Sequence, residues 1–411
     1  MSYMKIINGG VTAAKGFQAA GLRAGVKPGK TNKDMAMIVS ECDAVCAGTF
    51  TRNKVKAAPV KWDMQIVESQ DKARAIVANS GVANACTGQK GMENAKATAQ
   101  KAAEHFGVTA EQVLVASTGV IGAQLPMNVI LHGVDMLAST LSDTKEAGHE
   151  AAEAILTTDT RKKEIAVTFE IGGTIVTMGG MCKGSGMIHP NMGTMLGFVT
   201  TDAAITKEML VKALKADVED TYNMVSVDGD TSTNDTVLVL ANGMAENVVI
   251  DQEGEAFDTF VKALHTVNEH LAKCIAGDGE GCTKLFEVQA KHAATKEDAK
   301  LLSKSVVTSS LTKAAVFGKD ANWGRILCAM GYSGADFDPE LVDIVLKSSA
   351  GELAIVKDGV ATDYSEEIAT EILSQNPVIA IVDAHAGEEE ATAWGCDLTY
   401  DYVSINADYR S

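Results

Sequence analysis

The segment from 179 to 201 contains the residues whose types and order are best suited to chemistry. Its sequence, GGMCKGSGMIHPNMGTMLGFVTT, is a glycine-rich loop that leads into an apolar run and sets Thr194 at a predicted loop-to-strand junction. Such junctions can hold strained backbone. Because Gly193 has no side chain to shield its carbonyl, the Thr194 hydroxyl can attack that carbonyl and convert the amide into an ester. Hydrolysis would then cut the chain before Thr194, although a loop of this kind is more often only a turn.

A cut before Thr194 would also supply a catalytic base. The new α-amine has an ordinary pKa of about 7.7, and it lies beside the hydroxyl that it must deprotonate, as in other threonine nucleophiles that carry their own base. A nucleophile of this kind holds an acyl group as an ester. The loop therefore indicates acyl transfer if the chain cuts itself, and nothing catalytic if it does not.

Two further patterns offer the polar groups that acyl transfer needs. In ASTGVIG, Thr118 and Gly119 follow the strand-like VLVAS, so a hydroxyl and a backbone amide can face one developing negative oxygen. Lys183 and Glu280 suit opposite ends of an amino acid, because an ammonium binds a carboxylate and a carboxylate binds an ammonium. By residue type alone, a strand-end turn and two solvated surface side chains are the commoner alternatives.

Other binding motifs fail on inspection. The segment VDGDTSTNDTVL begins like a calcium loop at Asp228 and Asp230, but Thr233 stands where the turn glycine belongs and a valine replaces the bidentate glutamate. The histidines show neither HExxH nor Cys/His ligand spacing, so we expect no zinc site and no metal cofactor. No P-loop or complete dinucleotide fingerprint is present. His189 precedes the candidate nucleophile closely, but a loop histidine is usually incidental and we assign it no catalytic role.

Segments in which apolar residues recur with a helical period alternate with short strand-like segments along the chain. This pattern predicts an α/β fold. Gly172 and Gly173 can adopt positive φ and stand between two strand-like runs, which predicts a hairpin of Ile165 to Ile171 with Thr174 to Met178. Buried strands are predicted from Met195 to Val199 and from Thr236 to Leu240, and helices from Met92 to Phe106, from Lys207 to Thr221 and from Phe257 to Ala276. The apolar residues of the last helix share one face, which we expect to belong to the core.

The 411 residues are too many for one compact core and predict at least two packed domains. A turn-rich acidic stretch, NGMAENVVIDQEG, separates a predicted catalytic α/β domain of about residues 1–241 from a predicted C-terminal α/β domain of residues 255–411. We expect these two domains to pack closely against each other.

The formal net charge of -18 disfavours phosphate-rich partners, so we expect neither nucleic acid nor an anionic membrane as a partner. No signal-like start and no membrane-length apolar run is present, which predicts a cytoplasmic protein. The eight cysteines include no CxxC pair and are expected to be free thiols.

The segment KGSGMIHPNMGTML closely resembles the cleavage and nucleophile motif of the ornithine acetyltransferases, also called glutamate N-acetyltransferases, of arginine biosynthesis. Gly193 replaces the alanine most often found before the nucleophile in that family, and the position remains small. Further matches follow in family order along essentially the whole chain: NGGVTAAKGFQAAG, VANSGVANACTG, ASTGVIG, AILTTDT, SVDGDTSTNDTV, GDGEGCTK, NWGRILCAMGYSG and YVSINADYRS.

This resemblance implies a set of site residues. It makes Thr194 the catalytic nucleophile, the bond between Gly193 and Thr194 the cleavage point, and Thr118 and Gly119 the oxyanion hole. The substrate pocket would contain Thr157, Lys183, Thr194, Glu280, Asn406 and Ser411.

The architecture implied by the resemblance is one of layered sheets and helices related to the self-processing amidohydrolases. After cleavage, residues 1–193 and 194–411 would remain together as α and β chains. Two such pairs typically form an α2β2 assembly.

The reaction implied by the resemblance is ping-pong transfer of acetyl from N2-acetylornithine to glutamate through an acetyl-Thr194 ester, with no metal or redox cofactor. Acetyl-CoA would be a second donor in a bifunctional member, and the sequence does not distinguish the two cases. A self-processing aminopeptidase or amidase is the alternative within the same chemistry, but the motifs around Glu280, Asn406 and Ser411 match the transferases. An unprocessed amino-acid-binding protein is the alternative from another class, and it would leave the nucleophile motif idle.

Overall fold

The computed structural model describes residues 4–189 and 195–408. In these ranges helices pack on two β-sheets, so the predicted α/β fold of layered sheets and helices is confirmed. Within the same ranges no helix is both long and apolar enough to cross a membrane.

The first sheet takes its strands from the N-terminal part of the described chain, and these are β1 (Met4–Ile7), β2 (Phe17–Leu22), β3 (Met35–Phe50), β4 (Lys72–Val82), β5 (Val113–Val120), β6 (Lys163–Ile171), β7 (Thr174–Lys183), β8 (Leu196–Thr201) and β9 (Thr236–Ala241). The strand order is β1, β6, β7, β8, β9, β3, β4 and β5, and β2 pairs with β3. Leu196 pairs with both Lys183 and Thr236. The C-terminal end of β7 and the N-terminal ends of β8 and β9 therefore lie side by side at one end of the strands.

The predicted hairpin is confirmed in β6 and β7. Ile171 pairs with Thr174 across Gly172 and Gly173, whose φ angles are 57° and 85°. A two-residue hairpin turn with positive φ at both residues matches the twist of the two strands that it joins.

The described helices are α1 (Ala58–Ser69), α2 (Gly88–Phe106), α3 (Met127–Thr140), α4 (Lys145–Ala154), α5 (Lys207–Asp220), α6 (Glu255–Ala276), α7 (Lys296–Thr308), α8 (Ser310–Gly318), α9 (Trp323–Gly331), α10 (Glu366–Leu373) and α11 (Tyr400–Asp408). The three predicted helices correspond to α2, α5 and α6. Helix α2 ends where Gly107 adopts a left-handed φ of 63°, a common way to end a helix. The apolar face of α6 packs against β6 and β7, where Phe260, Val267 and Leu271 are fully buried.

The second sheet takes its strands from the C-terminal part of the described chain, and these are β10 (Leu285–Ala293), β11 (Asp343–Ser348), β12 (Gly351–Lys357), β13 (Val360–Ala361), β14 (Val378–Asp383) and β15 (Glu389–Cys396). Their order is β13, β12, β11, β14, β10 and β15. Strands β10 and β14 are parallel, whereas the other neighbours are antiparallel.

One hydrophobic cluster includes buried residues of both sheets, such as Val199 on β8 and Val288 on β10. The strands of the first sheet end at Ala241, but α6 packs on that sheet although it follows the acidic stretch. The division of the chain into domains at 241 and 255, like the division into α and β chains at 193, stays a prediction.

Candidate active site

A cavity of about 410 Å³ lies at the strand ends of the first sheet, where β7 ends and β8 begins. Its walls come from strand ends, from loops and from the last described helix, which are far apart in the sequence. The fold brings together there six of the residues that the sequence predicts for the site: Thr118, Gly119, Thr157, Lys183, Glu280 and Asn406.

Thr118 and Gly119 form the end of β5, where this strand runs beside β4. Gly119 has a φ of 132°, and a Cβ at this position would lie 2.3 Å from the carbonyl carbon of Gly81 on β4. Only a residue without a side chain permits so close an approach of two strands. The Thr118 hydroxyl accepts a hydrogen bond from the Lys183 ammonium at 3.4 Å, which leaves its own proton free to donate. The two groups predicted to bind one oxyanion are thus neighbours on the cavity wall.

Lys183 places a buried ammonium at the cavity. The residue is only 7% exposed, and burial lowers its pKa although the Asp159 carboxylate acts in the opposite direction. Among the residues that the structure describes, no carboxylate forms an ion pair with this ammonium. Asp159 compensates this buried charge in part, and a ligand carboxylate can form the direct ion pair that Lys183 lacks. This part of the cavity is therefore suited to a carboxylate.

A buried charge network that the sequence analysis missed lies beside Lys183. Asp159 accepts hydrogen bonds from the Lys163 ammonium and the Gly184 amide, both at 2.7 Å, and Asp278 accepts one from Lys163 at 2.6 Å. Burial alone would raise the pKa of Asp159, but Lys183 and Lys163 outweigh burial and lower it to about 2. The network ties the ends of β6 and β7 to the loop that follows α6. Asp159 and Asp278 lie in the motifs AILTTDT and GDGEGCTK, but neither motif indicates that both carboxylates meet at Lys163, because Lys163 and Asp278 are 115 positions apart.

Glu280 places a buried carboxylate in the same cavity. Its Oε2 accepts a hydrogen bond from the Asn406 side-chain amide at 2.8 Å. A Cβ on Gly186 would lie 2.3 Å from the Glu280 carboxyl carbon, so the glycine makes room for this carboxylate. In the described ranges, no lysine, arginine or histidine forms an ion pair with Glu280. The carboxylate is therefore available to an ammonium group of a ligand.

Three of the predicted residues, Gly193, Thr194 and Ser411, lie outside the residues that the structure describes. Described residues on either side of the predicted cut can be placed, since Met187 and Met195 both line the cavity. These two parts of the cleavage motif therefore border the same space as the buried ammonium and carboxylate.

The segment from Ser232 to Asp235 also lines the cavity, although the sequence analysis gave it no role. The Asn234 side-chain amide donates to the carbonyls of Ala83 at 2.6 Å and Ser117 at 2.7 Å. These bonds tie the segment to the strand end that carries Thr118. In the sequence, the many short polar side chains of SVDGDTSTNDTV suit a binding site, but they do not indicate which of them face a cavity.

Asp228, at the start of the calcium-like motif, anchors the backbone that enters the cleavage motif. Its carboxylate accepts hydrogen bonds from the amides of Met187 at 2.7 Å and Ile188 at 2.8 Å. Burial raises the pKa of this carboxyl, and the two amide hydrogen bonds oppose that effect. The motif that fails as a calcium loop thus positions one wall of the site.

His189 lies at a different cavity of about 350 Å³, which Lys304 also lines. Burial and the Lys304 charge lower the pKa of His189 to about 4. Its Nδ1 lies 3.1 Å from the Ser226 hydroxyl. This placement gives no reason to assign His189 a catalytic role.

The fold and the cavity together define an α/β enzyme in which a buried ammonium and a buried carboxylate line one cavity. The chain belongs to the ArgJ family, whose model matches residues 18–411. The resemblance that the motifs predict is thereby confirmed.

Known relatives match over nearly the whole chain. An arginine biosynthesis bifunctional protein ArgJ from Caldanaerobacter subterraneus subsp. tengcongensis is 54% identical over 408 residues, which cover 99% of this chain and 100% of the relative. A glutamate N-acetyltransferase from Methanocaldococcus jannaschii is 50% identical, with the same coverage of 99% and 100%. A crystal structure of the arginine biosynthesis bifunctional protein argJ from Bacillus halodurans is 49% identical with a TM-score of 0.50, and it covers 53% of this chain and 100% of that chain.

Proposed function

We propose that this chain is a glutamate N-acetyltransferase of arginine biosynthesis. It cuts itself between Gly193 and Thr194, and Thr194 then carries the acetyl group from N2-acetylornithine to glutamate. Thr118 and Gly119 form the oxyanion hole, and Thr157, Lys183, Glu280, Asn406 and Ser411 complete the substrate site.

The observation that carries this proposal is the pair of buried opposite charges in one cavity. Lys183 offers an ammonium and Glu280 a carboxylate, and neither has an ion-pair partner among the described residues. Acetylornithine has an α-carboxylate for Lys183 and a δ-ammonium for Glu280. An apolar or singly charged substrate would leave at least one of the two protein charges without a partner.

The proposed reaction has two half-reactions. The Thr194 α-amine takes the hydroxyl proton while Oγ attacks the acetyl carbonyl, and the resulting oxyanion receives hydrogen bonds from Thr118 and Gly119. The carbon–nitrogen bond then breaks, and ornithine leaves with a proton on its α-amine. In the second half, the glutamate α-amine attacks the ester carbonyl, the ester bond breaks and Thr194 recovers its proton.

The Bacillus halodurans structure supports the proposed cut. That chain is matched in full but spans 53% of this one, and residues 194–411 also make up 53% of the 411 residues. A cut at the corresponding position of the relative would leave a chain of this length.

Two substitutions at one position test the cut. We expect the wild-type protein to run as two fragments with Thr194 at the new N-terminus. Thr194→Ala should remain one inactive chain, whereas the matched Thr194→Ser, which keeps a hydroxyl, should still be cut. An active enzyme with an intact chain, or N-terminal sequencing that starts at another residue, would refute the proposal.

The acetyl-enzyme offers a second test, which separates the transferase from an amidase. Acetylornithine supplied without glutamate should leave one acetyl group on the peptide that begins at Thr194, because the acceptor is missing. Peptide mass mapping detects this adduct. Steady release of free acetate without glutamate would identify an amidase instead.

We propose further that acetyl-CoA is a second donor. A cavity of about 330 Å³ beside the candidate site is lined by Lys54, Lys56 and Lys61. The segment that carries these lysines borders the main site, since the Ala57 amide donates to the carbonyl of Thr233 at 2.9 Å. None of the three lysines forms an ion pair within the described ranges. In a chain with a net charge of -18, such a cavity is suited to the phosphates of a CoA thioester.

A lysine pair tests this second donor. The double variant Lys54→Gln, Lys61→Gln should raise the KM for acetyl-CoA by about tenfold and leave transfer from acetylornithine unchanged. Lys347→Gln is the control, because the Lys347 side chain is exposed and pairs with Glu352 on the second sheet, whereas this cavity is lined by other residues. If the wild-type protein makes no acetylglutamate from acetyl-CoA, the second donor is refuted while the first remains.

The assembly, the cofactors and the location of the protein follow from the same proposal. All reacting groups come from the chain and its two substrates, so the transfer is proposed to need no added cofactor. The two fragments are proposed to stay together as an α2β2 assembly in the cytoplasm. Light scattering of the processed enzyme measures that assembly directly.

A further inference from the structure

A cluster of two histidines and two aspartates lies on the second sheet, remote in sequence from the residues proposed for catalysis. His292 is near the end of β10, Asp383 ends the parallel neighbour β14, and His385 follows it by two residues. Asp343 starts β11 and pairs with Asp383 across the antiparallel ladder. These four side chains therefore lie together at one end of the strands, where the parallel strands β10 and β14 end and β11 begins.

The ring nitrogens and the carboxylate are spaced as donor atoms of one metal ion. In the described residues, His292, Asp383 and His385 each offer a ligand atom, and these atoms lie within 4.8 Å of one another. His292 Nδ1 is 2.7 Å from Asp383 Oδ2, and His385 Nδ1 is 3.4 Å from Asp383 Oδ1. Donors bound to one zinc ion at about 2.0–2.2 Å lie roughly 3–3.5 Å apart in a tetrahedron. Only small side-chain shifts would separate the current arrangement from coordination.

The second ring nitrogen of His385 has the partner that metal-binding histidines usually have. Its Nε2 lies 2.9 Å from Asp343 Oδ2. A carboxylate at this position holds the N–H on one ring nitrogen, so the lone pair of the other nitrogen is available to a metal. Lys357 also pairs with Asp343 and holds that carboxylate in place. A surface ion pair alone would not require this two-sided arrangement around one imidazole.

The backbone at both histidines adopts an unusual conformation. His292 has a φ of 50° and His385 a φ of 47°, in the left-handed region that residues other than glycine seldom adopt. The amides of Ala386 and Gly387 both donate to the His292 carbonyl, at 2.7 and 2.9 Å. The two imidazoles stack with centroids 6.2 Å apart. These contacts hold the two rings beside Asp383 at some conformational cost.

We propose that His292, Asp383 and His385 bind one divalent transition-metal ion, with Zn²⁺ the best-suited class. Two imidazoles and a carboxylate favour Zn²⁺ or its neighbours over the hard cations Ca²⁺ and Mg²⁺, which prefer sets of oxygen ligands. The three ligands leave at least one position for water or an external group, because both histidines are substantially exposed. The ion joins the ends of β10 and β14 and stabilises the second sheet.

No zinc site is expected from the sequence, because the ligand positions follow no local spacing. His292 and His385 meet only because β10 and β14 are parallel neighbours in the sheet. Their separation in the chain matches no short metal-binding motif.

Metal titration of the full-length protein tests the site. We expect Zn²⁺ to bind by calorimetry and to raise the Tm by mass action. Asp343→Asn should weaken binding by about 10- to 100-fold, and His385→Asn should weaken it at least as much. His105→Asn is the matched control, since His105 also pairs with a surface carboxylate, Asp135 at 2.7 Å, in another region. Equal affinity in His385→Asn and His105→Asn would overturn the proposal.

Chemical protection gives a test that needs no variant to fold. Diethylpyrocarbonate modifies exposed imidazoles, and peptide mass mapping locates the adducts. We expect Zn²⁺ to protect His292 and His385 of the wild-type protein but not His105. Unchanged modification of His292 and His385 at saturating Zn²⁺ would refute the site.

Discussion

The Thr118 hydroxyl already receives a hydrogen bond from Lys183, so the proton it can give is left for another oxygen. If that oxygen is the oxyanion of the acetyl group, Thr118→Ala should lower kcat by about 10²- to 10³-fold and change KM little. Thr118→Ser, which keeps the hydroxyl, should recover most of the activity. Steady-state kinetics of the three proteins measure both constants. A loss confined to KM would make Thr118 an ordinary contact for the bound substrate.

Glu280 should distinguish the donor from the acceptor. Glu280→Gln keeps the shape but removes a charge-assisted hydrogen bond to the δ-ammonium of acetylornithine, which costs about 1.5 to 3 kcal/mol. We therefore expect kcat/KM for acetylornithine to fall by about one to two decades. Glutamate brings a carboxylate to the same region, so deacetylation of the enzyme by glutamate should suffer less.

Separate kinetics of the two half-reactions measure this asymmetry for Glu280→Gln. Equal losses in both halves would indicate that Glu280 holds the α-amine that both substrates share. The substrate would then lie in the opposite direction in the cavity.

The chemical groups of the candidate site could be predicted from the sequence, but their surroundings could not. Lys183 and Glu280 lie in recognisable motifs, and the structure places both on one cavity. Asp159 and Asp278 also lie in such motifs, but the contact that joins them through Lys163 exists only because the start of β6 and the loop after α6 meet in space. Charge networks of this kind depend on tertiary structure, which local spacing does not encode.

At the scale of single elements, the approach of β4 to β5 explains why Gly119 has no side chain. In Gly119→Ala the new Cβ would meet the Gly81 backbone at 2.3 Å, which should displace the strand end and lower kcat together with stability. Gly122→Ala is the matched control, because Gly122 also has a positive φ, of 86°, but open space where its Cβ would lie. Thermal unfolding and kcat measured for both variants provide the test. Equal losses of stability and kcat in the two variants would mean that the positive φ, and not the contact with Gly81, causes the effect.

Helix α1 covers the edge strand β5 and buries an unusual carboxyl. Asp63 accepts a hydrogen bond from the Val115 amide at 2.8 Å through Oδ1, whereas its Oδ2 has no hydrogen-bond partner among the described residues. Burial raises the pKa of Asp63 well above its ordinary value. A raised folded-state pKa stabilises the protein below the unfolded-state pKa, and this contribution is lost as the pH rises towards the folded-state pKa.

Asp63→Asn removes this titration and keeps an acceptor for Val115. We expect the variant to gain stability relative to the wild type as the pH rises from 5.5 to 8, by up to about 1.4 kcal/mol for each pH unit. Urea unfolding of both proteins at the two pH values measures the difference. A difference that does not change with pH would show that Asp63 titrates alike in the folded and unfolded protein.

Local elements were predictable where a short pattern determines them. Gly172 and Gly173 indicated the hairpin, and the apolar face of α6 indicated core, because turn geometry and helical period act over a few residues. The order of the strands was not predictable. The pairing of β3 with β9, for example, joins residues nearly two hundred positions apart, and no local signal in either strand identifies its partner.

For the whole molecule, the proposed cut lies between two neighbours in the sheet. Strand β8 pairs with β7 from before the cut and with β9 from after it, and β9 pairs with β3 from before it. We expect processed enzyme to refold poorly after denaturation and better at high protein concentration, because two chains must then associate. Refolding of uncut Thr194→Ala should depend less on protein concentration, because its two parts are still covalently joined. Circular dichroism after dilution from urea provides the measurement, and equal concentration dependence for both proteins would contradict this expectation.

The position of α11 bears on when the site can first exist during synthesis. Asn406 lines the cavity and binds Glu280, and it follows every strand of the first sheet in the chain. A ribosome makes a chain from its N-terminus, so these strands emerge well before α11. A nascent chain therefore has the loop that carries the cleavage motif long before it has a complete cavity. Substrate recognition that depends on Asn406 begins only after α11 has emerged.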